Sequence, residues 1–258
     1  MQADPAGLPA ATVWESLRAH RYPEVPLPAG QAWGSGQPLT GQLHAGLAGL
    51  CLVCRGPVRP GYARCYQCEL HAQSAPGLLA DTVAAAAYAV KGGPLARDLW
   101  LYKSGRDGSA AAAARVLSLL LVFLHERGPG IWRAAGVGRP SAVCAVPSGR
   151  GRPGPHPLQA LVAPYLAVPW LSLRPRPGGD PWARTLDPGR FRAACALPGA
   201  SVLLLDDTWV SGASAQSAAV ALKLAGAAAV AVVVAGRHIP ASPASHWSGH
   251  ACPPGWGQ

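Results

Sequence analysis

Residues 202–214 read VLLLDDTWVSGAS: four apolar residues, two adjacent carboxylates, then a short loop of hydroxyl-bearing and small residues ahead of a helix-forming segment. Ligands of open parallel α/β sheets bind at the carboxyl ends of strands, and a buried strand over 202–205 puts Asp206 and Asp207 at such an end. Two carboxylates there can accept hydrogen bonds from the vicinal hydroxyls of a ribose. They can also hold a divalent cation, directly or through water. The loop from Thr208 to Ser214 opens a helix, so its backbone N–H groups and the helix N-terminus face an incoming phosphate. Small residues at Gly212 and Ala213 let the backbone close on that phosphate. Ser211 and Ser214 add hydroxyls, with Ser214 as the natural N-cap. This order suits a sugar phosphate held with a divalent metal. The same residue types also make an ordinary strand-to-helix turn, and residue types alone leave both readings open.

A second loop, Pro147-Ser148-Gly149-Arg150-Gly151-Arg152, follows an apolar run at 142–146 that reads as another buried strand. The planar guanidinium suits multi-oxygen anions, so Ser148, Gly149, Arg150 and Arg152 are candidate pyrophosphate ligands. Exposed arginines in a solvated loop are the plainer alternative. Residues 149–154 also fit G-x-G-x-x-G, but Pro153, Pro155 and Pro157 delay the helix that a dinucleotide site needs at once. Lys103, after a helix near 95–102, can approach the phosphates or serve as a solvated helix-end lysine.

Cys51-Leu-Val-Cys54 and Cys65-Tyr-Gln-Cys68 are two C-x-x-C pairs separated by ten residues. Each pair supplies two thiolates from one tight turn, and two such turns complete a tetrahedron, the pattern of structural zinc. Four thiolates leave no open coordination position, so catalysis at the metal is not expected. His71 is close enough in sequence to substitute for a ligand, but reads more simply as an exposed histidine. Cys144 and Cys195 read as small core residues, and Cys252 is isolated.

The elements that must position these groups can be read coarsely. Residues 1–48 carry Pro and Gly throughout, with a short helix expected around 12–19. The cysteine module takes 49–72. An apolar stretch at 83–90 precedes a turn at Lys91-Gly92-Gly93, the helix near 95–102, and a longer helix over 110–126 that Gly128-Pro129-Gly130 is expected to end. A short helix over 158–165 follows the arginine loop, and 166–200 reads as irregular. The unit 202–234, strand, loop, helix over 215–224, stop at Gly226, then strand from 227, implies a parallel sheet. From residue 238 on the chain reads as an irregular tail. The fold class is α/β, a parallel sheet flanked by helices over 80–238 with a small cysteine module ahead of it.

These motifs resemble the type I phosphoribosyltransferases, and the whole arrangement over 49–238 is similar to the ComF branch of that superfamily. The family pattern is an apolar run, two acidic residues, three variable residues, then Thr-Gly-small-Thr; here Ser211 and Ser214 stand for both threonines and keep the hydroxyls. A valine-proline strand end followed by Arg and Gly, and a four-cysteine zinc ribbon ahead of the domain, also match that branch. The resemblance implies binding of 5-phosphoribosyl 1-pyrophosphate (PRPP) with Mg2+. Asp206 and Asp207 would contact the ribose hydroxyls, and Ser211, Gly212, Ala213 and Ser214 would wrap the 5-phosphate. It implies phosphoribosyl transfer to an acceptor or, as in superfamily members that only sense the sugar phosphate, binding without turnover. An association with DNA uptake and competence follows for the same reason, with nucleic acid or uptake proteins as partners.

Composition bounds the rest. The chain has 258 residues, half of them hydrophobic and 13% charged, and a net charge of +10. That balance suits a polyphosphate ligand as well as nucleic acid, and the arginines form no dense run. No secretory signal is visible at the start, and the apolar stretches at 116–124 and 224–234 are too short to span a membrane. A cytoplasmic protein with reduced cysteines is the expectation. Glutamine-dependent amidotransfer is excluded, because there is no N-terminal cysteine nucleophile and no room for a glutamine-hydrolysing domain. Serine hydrolysis is unsupported, since neither Ser211 nor Ser214 lies in a G-x-S-x-G elbow.

Overall fold

The computed structural model describes residues 50–58, 61–148, 156–178, 180 and 183–240. The expected helix at 12–19, the loop residues Gly149, Arg150 and Arg152, Cys252 and the tail from 241 lie outside the described residues.

Helix α1 (Tyr66–Ser74) follows the cysteine turns. Strand β1 (Thr82–Val90), helices α2 (Pro94–Leu101) and α3 (Ser109–Ala134) and strand β2 (Ala142–Ala145) come next. Helix α4 (Pro157–Val162) continues as a 3-10 turn, and a small hairpin of β3 (Leu173–Pro175) and β4 (Phe191–Ala193) occupies the segment expected to be irregular. Strand β5 (Ser201–Trp209), helix α5 (Ala213–Leu224) and strand β6 (Ala229–Ile239) are the last elements among the described residues. The protein is α/β: four parallel strands in the order β1-β6-β5-β2, flanked by helices.

The two central strands are apolar on both faces, as a doubly covered parallel sheet requires. Leu203, Leu205, Ala231 and Val233 pack with α2, α3 and α4 on one side, through Leu99, Val116, Leu120, Leu158 and Val162. Val202, Leu204, Val230 and Val232 pack on the other with α5 and the hairpin, through Ala218, Leu222 and Phe191. Cys51, Cys54 and Cys68 belong to this second cluster. The helix after β2 and the helix after β5 therefore lie on opposite faces. Such a reversal between adjacent strands is where sheets of this kind bind ligands.

Three boundaries differ from expectation. Helix α3 does not stop at Gly128-Pro129-Gly130 but runs to Ala134 with Pro129 inside it. Pro129 is exposed, while Gly128 lies under the Trp132 indole and Ile131 is 3% exposed in the core. Burial of this last turn outweighs the missing N–H, whose loss costs about 3 kcal/mol in a helix interior. At 26 residues α3 is long and apolar enough to cross a membrane by length and composition, longer than the 116–124 stretch suggested. Here it covers one face of the sheet. Strand β5 continues through both carboxylates to Trp209, because β6 stays paired with it as far as Arg237. Strand β6 correspondingly reaches Ile239, so residues 238 and 239 are sheet rather than tail. Gly226 does stop α5. It has φ +104°, its N–H reaches the Lys223 carbonyl, and the Ala227 N–H reaches that of Leu222, a Schellman ending.

Candidate functional site

Strand β2 ends opposite Leu205, and the Val146 N–H makes the last bond to β5 at the Leu205 carbonyl. Beyond that point β5 is paired on one side only, and its next residues are Asp206 and Asp207. Asp207 is 6% exposed and accepts a hydrogen bond from the Tyr102 hydroxyl at 2.9 Å; the Lys103 ammonium pairs with the same carboxylate oxygen. Both partners sit at the C-terminal end of α2. That end comes close because β6 has Gly236 beneath it. A β-carbon there would fall 2.6 Å from the Leu99 side chain and 2.9 Å from that of Ala89. Helix α2 is anchored in turn by a bidentate pair, with Arg115 Nε and Nη2 donating to Asp98 at 2.6 and 2.8 Å.

Asp206 is half-buried, and its Oδ1 accepts the Asp207 N–H at 2.8 Å. Burial pushes its carboxyl up to about 7. Lys103, a backbone hydrogen bond from Thr208, and Arg190 all pull the other way without cancelling that effect. Lys103 and Arg190 come from opposite faces of the sheet, from α2 and from the hairpin. Arg190, 9% exposed, donates to the Ala183 carbonyl at 2.9 Å and lies over the Phe191 ring. The sequence reading missed it, since nothing in PGRFRAAC marks one arginine as folded inward.

The loop after β5 is shorter than expected. It spans Val210, Ser211 and Gly212, and α5 starts at Ala213. Gly212, not Ser214, is the N-cap, with φ +82°. A β-carbon on Gly212 would fall 2.1 Å from the Trp209 ring, so the indole lies directly across this residue. Space as well as backbone conformation therefore demands glycine. The capping bond comes from Ser211, whose Oγ accepts the Ala213 N–H at 3.3 Å. Ser214 is half-buried in the first helical turn. Thr208 stays on the strand. Ser148 is half-buried after β2, at the same end of the sheet, and its neighbours Gly149, Arg150 and Arg152 are outside the described residues. Asp206, Asp207, Thr208, Ser211, Gly212, Ala213, Ser214, Ser148 and Lys103 thus converge on the carboxyl ends of β2 and β5.

The four cysteine sulfurs lie within 4.8 Å of one another, with Cys54 and Cys65 Sγ 3.7 Å apart. Metal–sulfur bonds of 2.3 Å give a tetrahedron with edges of about 3.8 Å, so Cys51, Cys54, Cys65 and Cys68 could bind a metal such as zinc. Hydrogen bonding among the four thiols holds Cys51 below its usual range and pushes Cys65 and Cys68 above theirs. The two turns differ in construction. Cys51 and Cys54 sit in a turn closed by Cys51 N–H to Gly56 O at 2.8 Å and by Arg55 at φ +55°. Cys65 instead caps α1, and Cys68 lies in its first turn.

Two side chains correct the sequence reading. His71 is not exposed but 2% accessible, and neither ring nitrogen has a partner; burial pulls its imidazole down to about 4. Cys195 is exposed rather than core, while Cys144 is buried as expected. Trp170 is bridged to Val143 and packs on the core beside β2.

Comparison with known proteins found no family model and no curated protein that matches this chain.

Proposed function

We propose that this protein binds PRPP with Mg2+ at the carboxyl end of β5 and transfers the phosphoribosyl group to an acceptor, as its resemblance to ComF-like phosphoribosyltransferases implies. The observation that carries the reading is the convergence of Asp206, Asp207 and Lys103 beside a glycine-initiated helix, at the one place where β5 runs past β2. In this reading Asp206 and Asp207 receive the ribose hydroxyls. The backbone from Ser211 to Ser214, at the positive end of α5, receives the 5-phosphate. Ser148, Gly149, Arg150 and Arg152, with Lys103 nearby, take the pyrophosphate. Magnesium, a hard cation suited to carboxylate and phosphate oxygens, supplies neutralisation of the leaving pyrophosphate. The protein's part is to hold the sugar C1 toward the acceptor and to surround the developing positive charge with fixed dipoles. Zinc is the metal we assign to the four cysteines, in a structural role. A cytoplasmic location and a link to DNA uptake, through nucleic acid or uptake proteins, belong to the same proposal.

Calorimetric titration of PRPP into metal-loaded protein with Mg2+, beside the Asp206→Asn, Asp207→Asn double variant, tests the reading. Saturable binding that the variant loses supports it. Absence of binding by folded wild-type protein overturns it. Binding without pyrophosphate release over a panel of acceptors would make the protein a sensor of the sugar phosphate rather than a transferase.

A further inference from the structure

Arg237 lies where the two candidate sites meet. It stands on β6 in register with Tyr88 of β1 and Trp209 of β5, so these three residues form one row across the sheet. Its side chain is 7% exposed. Its Nη1 donates to the carbonyls of Trp209 at 3.1 Å and Val210 at 2.9 Å, the residues that lead into the Gly212 loop, and to that of His238 at 2.8 Å. On its other side the guanidinium lies against Gly56. A β-carbon there would be 2.3 Å from Nη2 and 2.9 Å from Cζ. Gly56 closes the turn that carries Cys51 and Cys54, and the Tyr88 hydroxyl fixes the same turn by donating to the Arg55 carbonyl at 2.8 Å. A buried guanidinium whose charge is met by backbone carbonyls has a large desolvation cost, and only a fixed arrangement of those carbonyls offsets it.

We infer that Arg237 is a positioning residue that couples metal occupancy of the four-cysteine site to the conformation of the loop over residues 209–213. With metal bound, the 51–56 turn is rigid and presses Gly56 against one edge of the guanidinium, which keeps Nη1 on the Trp209 and Val210 carbonyls. Without metal, the turn keeps its backbone bonds and the bond from Tyr88 but loses the cross-tie of Cys51 and Cys54 to Cys65 and Cys68, so the guanidinium gains room and the loop loses its anchor. Linkage makes the effect reciprocal: a ligand that orders the loop also tightens metal binding. The ligand half of this inference rests on the function proposed above; the metal-to-loop half does not.

Hydrogen exchange of the full chain, with and without zinc, tests the coupling without any sugar phosphate. Amides of residues 210–213 are expected to exchange about tenfold faster in the metal-free protein, while those of α3 and central β5 keep their protection. In Arg237→Met the loop should exchange fast with or without metal, and Arg237→Lys should restore part of the difference if the methionine variant folds poorly. Identical loop protection in zinc-loaded and zinc-free wild type overturns the inference, as does loss of protection throughout α3 on zinc removal, which would make the metal a general clamp. PRPP with Mg2+ added to the same samples separates the two proposals. Zinc-dependent protection with no effect of PRPP leaves the coupling standing and removes the ligand reading.

Discussion

Asp206 carries a charge that folding resists. Its carboxyl is pushed up to about 7 by burial, well above the ordinary value near 4. Above pH 7 the group is ionised in both folded and unfolded chains, and only the folded chain bears the desolvation cost. Below about pH 4 it is protonated in both and the cost vanishes. Asp206→Asn should therefore stabilise the protein by about 2–4 kcal/mol at pH 8, with the gain fading toward pH 4, as read by urea unfolding across that range. The same substitution should abolish PRPP binding, so stability and binding move in opposite directions. Asp207 differs, because the Tyr102 hydroxyl and Lys103 already compensate it. The sequence shows two identical neighbours; only the placement of α2 over Gly236 and of Arg190 from the hairpin makes them unlike.

Element boundaries show where local sequence stops being informative. The apolar run 202–205 announces a strand, but the two carboxylates read as its end, and only pairing with β6 carries it on to Trp209. A partner strand distant in sequence decided that boundary, which no local pattern can register. Gly128-Pro129-Gly130 likewise reads as a stop, yet the core contacts of Ile131 hold the helix past it. Pro129 is exposed, so Pro129→Ala restores a backbone donor without disturbing packing. That variant should gain about 1–3 kcal/mol, seen as a higher midpoint of thermal unfolding; an unchanged or lower midpoint would mean that α3 is already bent to suit the proline. The Gly226 stop, by contrast, was legible, because a left-handed position after a helix is glycine's own niche. The α/β class and the parallel sheet were legible for a similar reason: continuous apolar strands need cover on both faces.

At the scale of the whole molecule, the cysteine cluster and the carboxylate site share one end of the sheet. The spacing of the cysteines told of four ligands that could bind a metal, but not that the turn at 51–56 would rest on β1 and β6. That contact depends on Gly56 and on the buried Arg237, neither of which the cysteine spacing marks. Cys51, Cys54 and Cys68 are packed in the same cluster as Leu204 and Val232, so metal loss should be felt by the sheet. Cys68→Ser should reduce bound zinc from one per chain to none, measured by atomic emission. It should also lower the thermal midpoint by roughly 5 °C or more. Retention of zinc by that variant would point to His71, three residues on, as a replacement ligand.

Trp209 gives the molecule its own optical gauge. Its indole is 1% exposed, lies across Gly212, and leaves its Nε1–H without an acceptor. A ring so enclosed sits in an asymmetric, fixed electric field, and any anion settling on the following helix start would alter that field without touching the ring. Among the nine tryptophans, the part of the near-ultraviolet dichroism that a Trp209→Phe variant loses thus reports the state of the loop from within, with no label attached.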